Sequence, residues 1–197
     1  MDQHILKLLS IMPSPSDSKL VASYLKGDEK SLETLISRYL KPIYGFVYRY
    51  TGNSANAEDM AQEVLVKAWK NLKKFDQSKS FKAWVFAIAR NTCIDFLRKK
   101  KDIPFSEFEN EDGENTLVDS IADSAPLPQE IMKRKSISKE ITDAIAKLPL
   151  KSRTVLLLYY GSHFTFQEIA ESMGESINTV KSRHQRAVMS LRKLLAR

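Results

Sequence analysis

Apolar residues recur at helical spacing along two stretches of this chain, and no alternating, strand-like pattern interrupts either one. The first stretch runs from Leu20 to Phe96 and the second from Ile137 to Leu195. Because residues three and four positions apart share one face of an α-helix, each stretch predicts a set of amphipathic helices. The chain has only 6 glycines and 7 prolines among 197 residues, which also favours helices. The expected fold is all-α, with two small helical domains.

The segment between the two stretches has a different composition. Residues 103–131 carry 8 acidic and no basic side chains, whereas 1–102 carry 18 basic and 11 acidic ones and 132–197 carry 13 and 5. An acidic segment without apolar periodicity is typical of a flexible linker. We therefore expect an N-terminal extension over 1–16, a first domain over 17–102, an acidic linker over 103–134 and a second domain over 135–197.

Composition also excludes several classes of protein. A single cysteine, Cys93, cannot form an intrachain disulfide, and with 3 scattered histidines it gives no zinc-binding spacing. No run approaches the ~18 apolar residues of a membrane span, and the N-terminus lacks a signal-peptide pattern. These features predict a cytoplasmic protein without a metal, another cofactor or a small-molecule substrate. The net charge of +7 makes a nucleic acid the first partner to consider.

The second domain contains a predicted helix-turn-helix. Thr165 and Glu168 have the spacing of a capping box, Gly174 predicts the turn, and Ser176 predicts the cap of a second helix. The positions predicted to face outward on that helix are Asn178, Thr179, Lys181, Ser182, Arg183, Gln185 and Arg186. Side chains of these types can read base edges in a major groove. An αα-hairpin with a solvated face is the alternative, but the three signals together favour DNA binding.

A polar face is predicted on the helix that follows Gly52. Asp59, Gln62, Glu63 and Val66 lie opposite its apolar stripe, and Asp59 and Glu63 form a like-charged i,i+4 pair. Such a pair costs a little helix stability. A basic partner surface would explain the pair, and ordinary solvation helped by Lys67 explains it equally well.

A third group of residues combines aromatic, amide and basic side chains in a loop and on the exposed side of the helix around Trp84. Its members are Phe75, Lys79, Lys82, Phe86, Arg90, Asn91 and Arg98. Single-stranded DNA is bound by this mixture: aromatic rings stack on bases for ~1–3 kcal/mol each, cations follow phosphates, and amides pair with unstacked base edges. For Phe86, packing in the core explains the spacing equally well.

The motifs also occur in a recognisable order: AEDMAQE at 57–63, FKAWVFAIARN at 81–91 and NTVKSR at 178–183. With them the chain resembles a bacterial sigma factor of the extracytoplasmic-function group, over about 17–102 (region two) and 135–195 (region four). The resemblance implies a factor that binds core RNA polymerase, directs it to promoters, melts promoter DNA and catalyses no reaction.

The resemblance also implies roles for the three groups of residues. The β′ clamp helices of core polymerase would be bound by Asp59, Gln62 and Glu63, with Val66 beside them. Core polymerase would also be contacted through its β flap. Asn91 and the Phe75 loop would capture a flipped minus-10 base. The other members of the third group of residues would lie along the same DNA. The outward residues of the last helix, Lys181, Ser182, Arg183 and Arg186 above all, would enter the major groove of the minus-35 element. The acidic linker would thread through polymerase, and an anti-sigma protein is an expected partner.

Two features depart from the family pattern, and two other function classes compete with it. His184 stands where an aliphatic residue is usual in the family, so we expect a partly buried, hydrogen-bonded histidine there. Residues 1–16 extend beyond the part of the chain that resembles the family. A stand-alone operator-binding regulator would leave the Asp59 face unexplained. For a nucleic-acid enzyme, no convergent carboxylate site and no activated nucleophile is visible.

Overall fold

The computed structural model describes residues 14–101 and 140–196. Every regular element within these two ranges is helical, and no strand occurs in them. The all-α expectation is therefore confirmed for the described residues. The predicted acidic linker and residues 1–13 of the predicted extension lie outside them.

The first lobe consists of long helices that begin at side-chain caps. Its helices are α1 (Asp17–Leu25), α2 (Glu29–Thr51), α3 (Ser54–Asn71) and α4 (Phe81–Lys101), with a short 3-10 turn over Leu72–Lys74. Ser16, Asp28 and Asn53 each accept a hydrogen bond from a backbone amide in the first turn that follows. Such bonds satisfy amides that the helix itself leaves unpaired, so these residues fix the helix starts.

Helix α2 continues through Pro42 without ending. Proline removes one backbone hydrogen bond from a helix and costs about 3 kcal/mol. On either side of it, Tyr39, Ile43 and Phe46 are buried on one face of α2. Burial of a large apolar side chain contributes ~1.5–3 kcal/mol, so three of them outweigh the cost of the proline.

The second lobe contains the helix-turn-helix. Its elements are α5 (140–146), α6 (Leu150–Leu156), a π-helical turn (Leu157–Gly161), α7 (Phe166–Met173) and α8 (Ile177–Leu195). The Thr165 amide donates to Glu168 at 2.8 Å and the Glu168 amide donates to Thr165 Oγ1 at 3.2 Å. Gly174 has φ of +66°, and Ser176 accepts from the backbone amide at the third position beyond it. The helix-turn-helix predicted from the spacing is confirmed.

The two lobes pack against each other in one continuous apolar core. The Phe86 ring of α4 lies 5.5 Å from the Phe46 ring of α2 and 4.8 Å from the Phe164 ring of the second lobe. A smaller cluster of Leu148, Leu156 and Ala187 holds α8 to the start of its own lobe. The face of α4 that carries Phe86 is therefore covered by the lobe that contains the helix-turn-helix.

Candidate polymerase and nucleic-acid interfaces

The outer face of α3 presents the residues predicted to bind polymerase. All of them are exposed: Asp59, Gln62, Glu63 and Val66. They stand at i, i+3, i+4 and i+7, so they form one strip along the helix. Val66 adds an apolar side chain, 45% exposed, to this polar strip. We call these four residues the α3 strip.

An ion pair modifies the charge of the α3 strip. Glu63 lies 2.7 Å from the ammonium of Lys67, one turn further along α3. The same ammonium donates to Thr92 of α4 at 3.2 Å, so Lys67 is held toward the neighbouring helix. An exposed i,i+4 pair contributes only ~0.3–0.5 kcal/mol. The strip with Lys67 carries two carboxylates and one ammonium, a net negative charge that suits a basic partner.

Trp69 extends the α3 strip. The side chain is 49% exposed, and its indole N–H donates to the hydroxyl of Tyr24 at 2.8 Å. Together with Ile36 of α2 it lines an apolar groove between α2 and α3. Trp69 follows Val66 by three positions and thus continues the exposed strip, a signal that could have identified it.

The loop before α4 holds its aromatic residue inward. Phe75 is 7% exposed and its ring lies 4.9 Å from the Trp84 ring, so it is not an open stacking surface. Asp76 accepts hydrogen bonds from the hydroxyl and amide of Ser78 at 2.7 and 3.0 Å, and these bonds lower the pKa of Asp76. Lys79 is exposed. The loop is therefore fixed by its own side chains and presents a cation rather than a ring.

The expected exposed position of Phe86 is wrong. This side chain is 1% exposed, and the core-packing alternative describes it correctly. Lys82, one turn earlier on α4, is half-buried: its ammonium lies 3.2 Å from Glu168 and 4.1 Å from the centre of the Phe164 ring. The physical reason is the second lobe, which covers this face of α4 and which the pattern of a single helix cannot reveal.

Asn91 is exposed at the middle of α4. Its side-chain oxygen accepts hydrogen bonds from Nε and Nη2 of Arg90 at 3.2 and 2.9 Å. Burial lowers the pKa of Arg90 from its ordinary value. Arg98, two turns further, lies 3.6 Å from Asp95 and is partly exposed. Asn91 is thus a solvent-facing amide whose orientation is set by a neighbouring guanidinium.

Helix α8 presents most of the residues predicted to read a major groove. The exposed ones are Asn178, Lys181, Ser182, Gln185 and Arg186, and Thr179 is partly exposed. Their spacing of three and four keeps them on one face of the helix. Because Ser176 caps α8 at its first turn, this face begins at a fixed point beside the glycine turn.

Arg183 is a correction to the predicted face. The side chain is 5% exposed and pairs with the carboxylate of Glu175, which also lies 3.9 Å from Lys151. Val180 and Ala187 are buried on the same face of α8. The positions i, i+3 and i+7 turn Arg183 inward, and the ion pair stabilises its charge there.

His184 matches the expectation of a partly buried, hydrogen-bonded histidine. Its Nε2 lies 3.2 Å from the hydroxyl of Tyr160. The ring contacts those of Tyr159 and Phe166 at centroid distances of 4.9 and 5.2 Å. Burial lowers the pKa of His184 from its ordinary value. The histidine therefore joins α8 to the aromatic residues beside α7.

The described residues also bear on metal binding and thiol chemistry. Within 14–101 and 140–196 no group of three or more His, Cys, Asp or Glu side chains is arranged to hold a metal ion. Cys93 is buried, and burial raises the pKa of its thiol to about 12. No helix in these ranges has the length and apolar character needed to cross a bilayer.

Comparison with known proteins assigns both lobes to families. Residues 35–103 match Sigma-70 region 2, and residues 138–191 match Sigma-70, region 4. The chain is 35% identical over 178 residues to the ECF RNA polymerase sigma factor SigW of Bacillus subtilis (strain 168). This match covers 90% of this chain and 95% of the relative. It is 29% identical over 186 residues to the RNA polymerase sigma-H factor of Pseudomonas aeruginosa, with 94% and 96% covered.

Solved structures show the same architecture. The sigma factor RpoE of Bartonella quintana, solved in complex with the anti-sigma factor NepR, has 26% identity and a TM-score of 0.62, with 85% of this chain and 98% of that chain covered. CnrH, solved in complex with the cytosolic domain of CnrY, has 22% identity and a TM-score of 0.69, with 92% and 98% covered, and shows the fold. With both sigma regions matched in order, this chain belongs to the extracytoplasmic-function sigma factors of the sigma-70 family, the initiation factors that direct RNA polymerase to promoters.

Proposed function

We propose that this sigma factor uses three separate surfaces in transcription initiation. The α3 strip docks core RNA polymerase, the loop before α4 and the exposed part of α4 engage minus-10 DNA, and the exposed face of α8 reads the minus-35 element. The observation that carries the proposal is the exposure of the α3 strip and of the α8 face on opposite lobes of a chain that belongs to the sigma family.

The α3 strip has the chemistry of a docking surface. Asp59 and Glu63 supply negative charge, which speeds and orients association with a basic partner. Val66 and Trp69 are about half exposed beside them, and partly exposed aromatic residues commonly supply much of the binding energy at interfaces. We assign this strip to the β′ clamp helices and the second lobe to the β flap.

The minus-10 surface depends on Asn91 in our proposal. An exposed amide offers both a donor and an acceptor to the edge of a base that has left the duplex. Lys79 and Arg98 lie on the solvent side of the same region and would contact phosphates. Phe75 and Phe86 hold the surface in place from within the core, and Lys82 and Arg90 join it as half-buried cations.

The exposed face of α8 suits major-groove reading. Arg186 can bind a guanine edge bidentately, and Asn178 and Gln185 can do the same for adenine. Lys181 can pair with phosphate, which adds affinity without sequence preference. Arg183 is assigned a different role, since it holds α8 against Glu175 inside the lobe.

We infer the remaining partner and the cellular location from the relatives and from the proposed role in initiation. Because the Bartonella quintana relative was solved with an anti-sigma factor, we propose that an anti-sigma protein also binds this chain. We place the protein in the cytoplasm, where core polymerase and promoter DNA are found. The proposal assigns no catalytic step, cofactor or small-molecule substrate to it.

Run-off transcription with purified core polymerase and a library of genomic promoter fragments tests the proposal. We expect discrete transcripts that require both the protein and core polymerase. Tight, sequence-specific binding to duplex DNA by the protein alone, with no gain in transcription, would instead support a stand-alone operator-binding regulator.

A further inference from the structure

Tyr160 has the most exposed aromatic side chain among the described residues. The side chain is 60% exposed, and the residue lies in the π-helical turn at Leu157–Gly161 of the second lobe. Single turns of π-helix occur frequently at functional sites. The three surfaces of the proposed function do not include Tyr160. Its ring and hydroxyl are therefore open to a partner of the second lobe.

The exposed ring of Tyr160 is held in place from one side. Its hydroxyl lies 3.2 Å from Nε2 of His184 on α8. Its ring centre lies 4.9 Å from that of Tyr159 and 5.6 Å from that of His184. The Tyr159 ring in turn stacks on Phe166 of α7 at 4.8 Å. Because these contacts restrict the side chain in advance, binding through its hydroxyl would cost little conformational entropy.

The hydrogen bond to His184 determines what the hydroxyl of Tyr160 can offer to a partner. A phenolic oxygen can accept one hydrogen bond and donate another. When the proton of the neutral imidazole is on Nε2, this N–H donates to the tyrosine oxygen. The phenolic O–H is then directed to an acceptor outside the pair. An aliphatic side chain at position 184 could not supply this bond, so the arrangement depends on the histidine.

The pair lies along one flank of α8. Around the helix axis, His184 stands between the buried Val180 and the exposed Lys181. An α-helix with its side chains is ~10–12 Å across and the major groove is ~12 Å wide, so a helix that reads bases nearly fills the groove. Side chains along its flanks then face the phosphates that border the groove. Tyr160, which packs against this flank, is thus placed toward the phosphate backbone rather than toward base edges.

We propose that Tyr160 is a further DNA-binding residue, whose hydroxyl, oriented by His184, donates a hydrogen bond to a backbone phosphate beside the minus-35 element. The inference rests on the proposed role of α8 in the major groove. His184 is a positioning residue in this arrangement, because it acts on the DNA only through the tyrosine hydroxyl. A phosphate contact of this kind fixes the register of α8 on the duplex and adds affinity without reading sequence.

Binding of a minus-35 duplex by the protein assembled with core polymerase tests the contact. The duplex comes from a promoter mapped by run-off transcription and carries the minus-35 element alone. Tyr160→Phe deletes only the hydroxyl and should weaken binding about tenfold, as expected for a hydrogen bond to a charged group. The loss should be equal on cognate and mutated minus-35 elements. Tyr48→Phe, which alters a tyrosine that is 37% exposed on α2, is the control and should bind as the parent does.

Neutral methylphosphonates at single positions of the duplex locate the contact. One such replacement should weaken binding by the parent and have much less effect on Tyr160→Phe, because the hydroxyl that it affects is already absent. Lys181→Ala provides the comparison for a charged contact. It should reduce the salt dependence of binding, whereas Tyr160→Phe removes no charge and should leave the salt dependence unchanged.

Two variants of His184 test its positioning role. His184→Gln keeps an N–H donor near the place of Nε2 and should retain most of the affinity. His184→Leu removes the donor and should weaken binding, and Tyr160→Phe added to it should then cause little further loss. Fully additive losses in the double variant would overturn the positioning role, since side chains that act through one hydrogen bond are coupled. Circular dichroism shows whether each variant folds, and Tyr160→Phe alone tests the phosphate contact if His184→Leu does not.

The outcomes distinguish this inference from the proposed function. Equal binding of the minus-35 duplex by Tyr160→Phe and the parent overturns the phosphate contact and leaves the proposed function intact. A loss confined to assembly with core polymerase overturns it in favour of a protein contact, and a loss confined to the cognate element overturns it in favour of base reading. If the parent with core polymerase neither binds the duplex nor yields a promoter transcript, the proposed function fails and this inference fails with it.

Discussion

The guanidinium of Arg183 is paired with the carboxylate of Glu175 inside the second lobe, although Arg183 lies on the helix that we assign to the major groove. Glu175 precedes the cap of α8 at Ser176, so the pair joins the turn of the helix-turn-helix to the second turn of its recognition helix. The ion pair therefore fixes how α8 leaves the turn, and through that the direction of every exposed side chain on it.

Replacement of Arg183 by alanine should lower both stability and DNA binding without altering sequence preference. Loss of one partner of a buried ion pair costs ~3 kcal/mol, and removal of Arg183 leaves the Glu175 carboxylate, among the described residues, with only the more distant ammonium of Lys151, at 3.9 Å. Denaturant unfolding would measure this loss. In binding assays the penalty should be equal on the cognate minus-35 element and on mutated ones, since the variant acts through the position of α8.

Two further variants serve as controls for Arg183. The double variant Arg183→Met with Glu175→Gln removes both charges of the pair. It should recover part of the stability that Arg183→Met alone loses. Arg186→Ala, on the exposed face, should cost ~1–3 kcal/mol on the cognate element and less on mutated ones. If Arg183→Ala shows the same sequence dependence as Arg186→Ala, then Arg183 reads a base.

Charge reversal on the α3 strip should abolish polymerase assembly and leave the fold intact. In Asp59→Lys with Glu63→Lys, the melting temperature should change by only a few degrees, because exposed substitutions usually cost less than ~0.5 kcal/mol. Co-purification with core polymerase should be lost. Glu29→Lys with Glu33→Lys is the matched control: it reverses an exposed i,i+4 acidic pair on α2 and should leave assembly unchanged. Equal behaviour of the two double variants would contradict the assignment.

Sequence spacing was sufficient to predict features set within one helix or one turn. The capping box at Thr165 and the turn at Gly174 depend on residues at most a few positions apart, and the structure has both. The α3 strip is equally local, since its exposure follows from the apolar stripe on the opposite side. The partly buried, hydrogen-bonded His184 was expected from the resemblance, in which this position is usually aliphatic, rather than from spacing.

Features that depend on contacts between elements could not be predicted. Phe86 is buried because Phe164 of the other lobe meets it, and these residues are separated by a segment with no periodic pattern. Arg183 is buried because Glu175 neutralises it, a pairing that a basic cluster conceals. The outward positions predicted for Phe86 and Arg183 are both wrong. For Phe86 no pattern within α4 indicated the covering lobe, whereas the spacing of Arg183 from Val180 and Ala187 did indicate the inward face of α8.

The stability of the second lobe should fall in mild acid because of His184. Burial lowers the pKa of this histidine in the folded state below its ordinary 6.5, so protonation favours the unfolded chain. The contribution is complete above pH 6.5 and is lost as the pH falls from that value through the folded pKa. Urea unfolding at pH 7.5 and 5.5 measures the free energy of unfolding. Between these two pH values, this free energy should decrease less for His184→Leu than for the parent. Equal decreases in the two proteins would show that protonation of His184 does not contribute to the loss of stability in acid.

Asn91 should act when the promoter opens rather than when polymerase assembles. Base flipping costs a few kcal/mol of lost stacking and pairing, so the protein must supply hydrogen bonds that form only after the base has left the duplex. Asn91→Ala removes such bonds from an exposed position. Core assembly and minus-35 binding should survive, whereas permanganate reactivity of thymines near the start site and the amount of run-off product should both fall.

A template with a pre-melted bubble separates base capture from general damage caused by Asn91→Ala. Such a template no longer requires the protein to offset the cost of unpairing, so it should restore most of the transcription. Asn71→Ala, which replaces another exposed asparagine of the same lobe, should behave as the parent on both templates. If Asn91→Ala opens the intact promoter as well as the parent does, Asn91 does not capture a base. If the pre-melted template fails to rescue it, the side chain acts at a step other than strand opening.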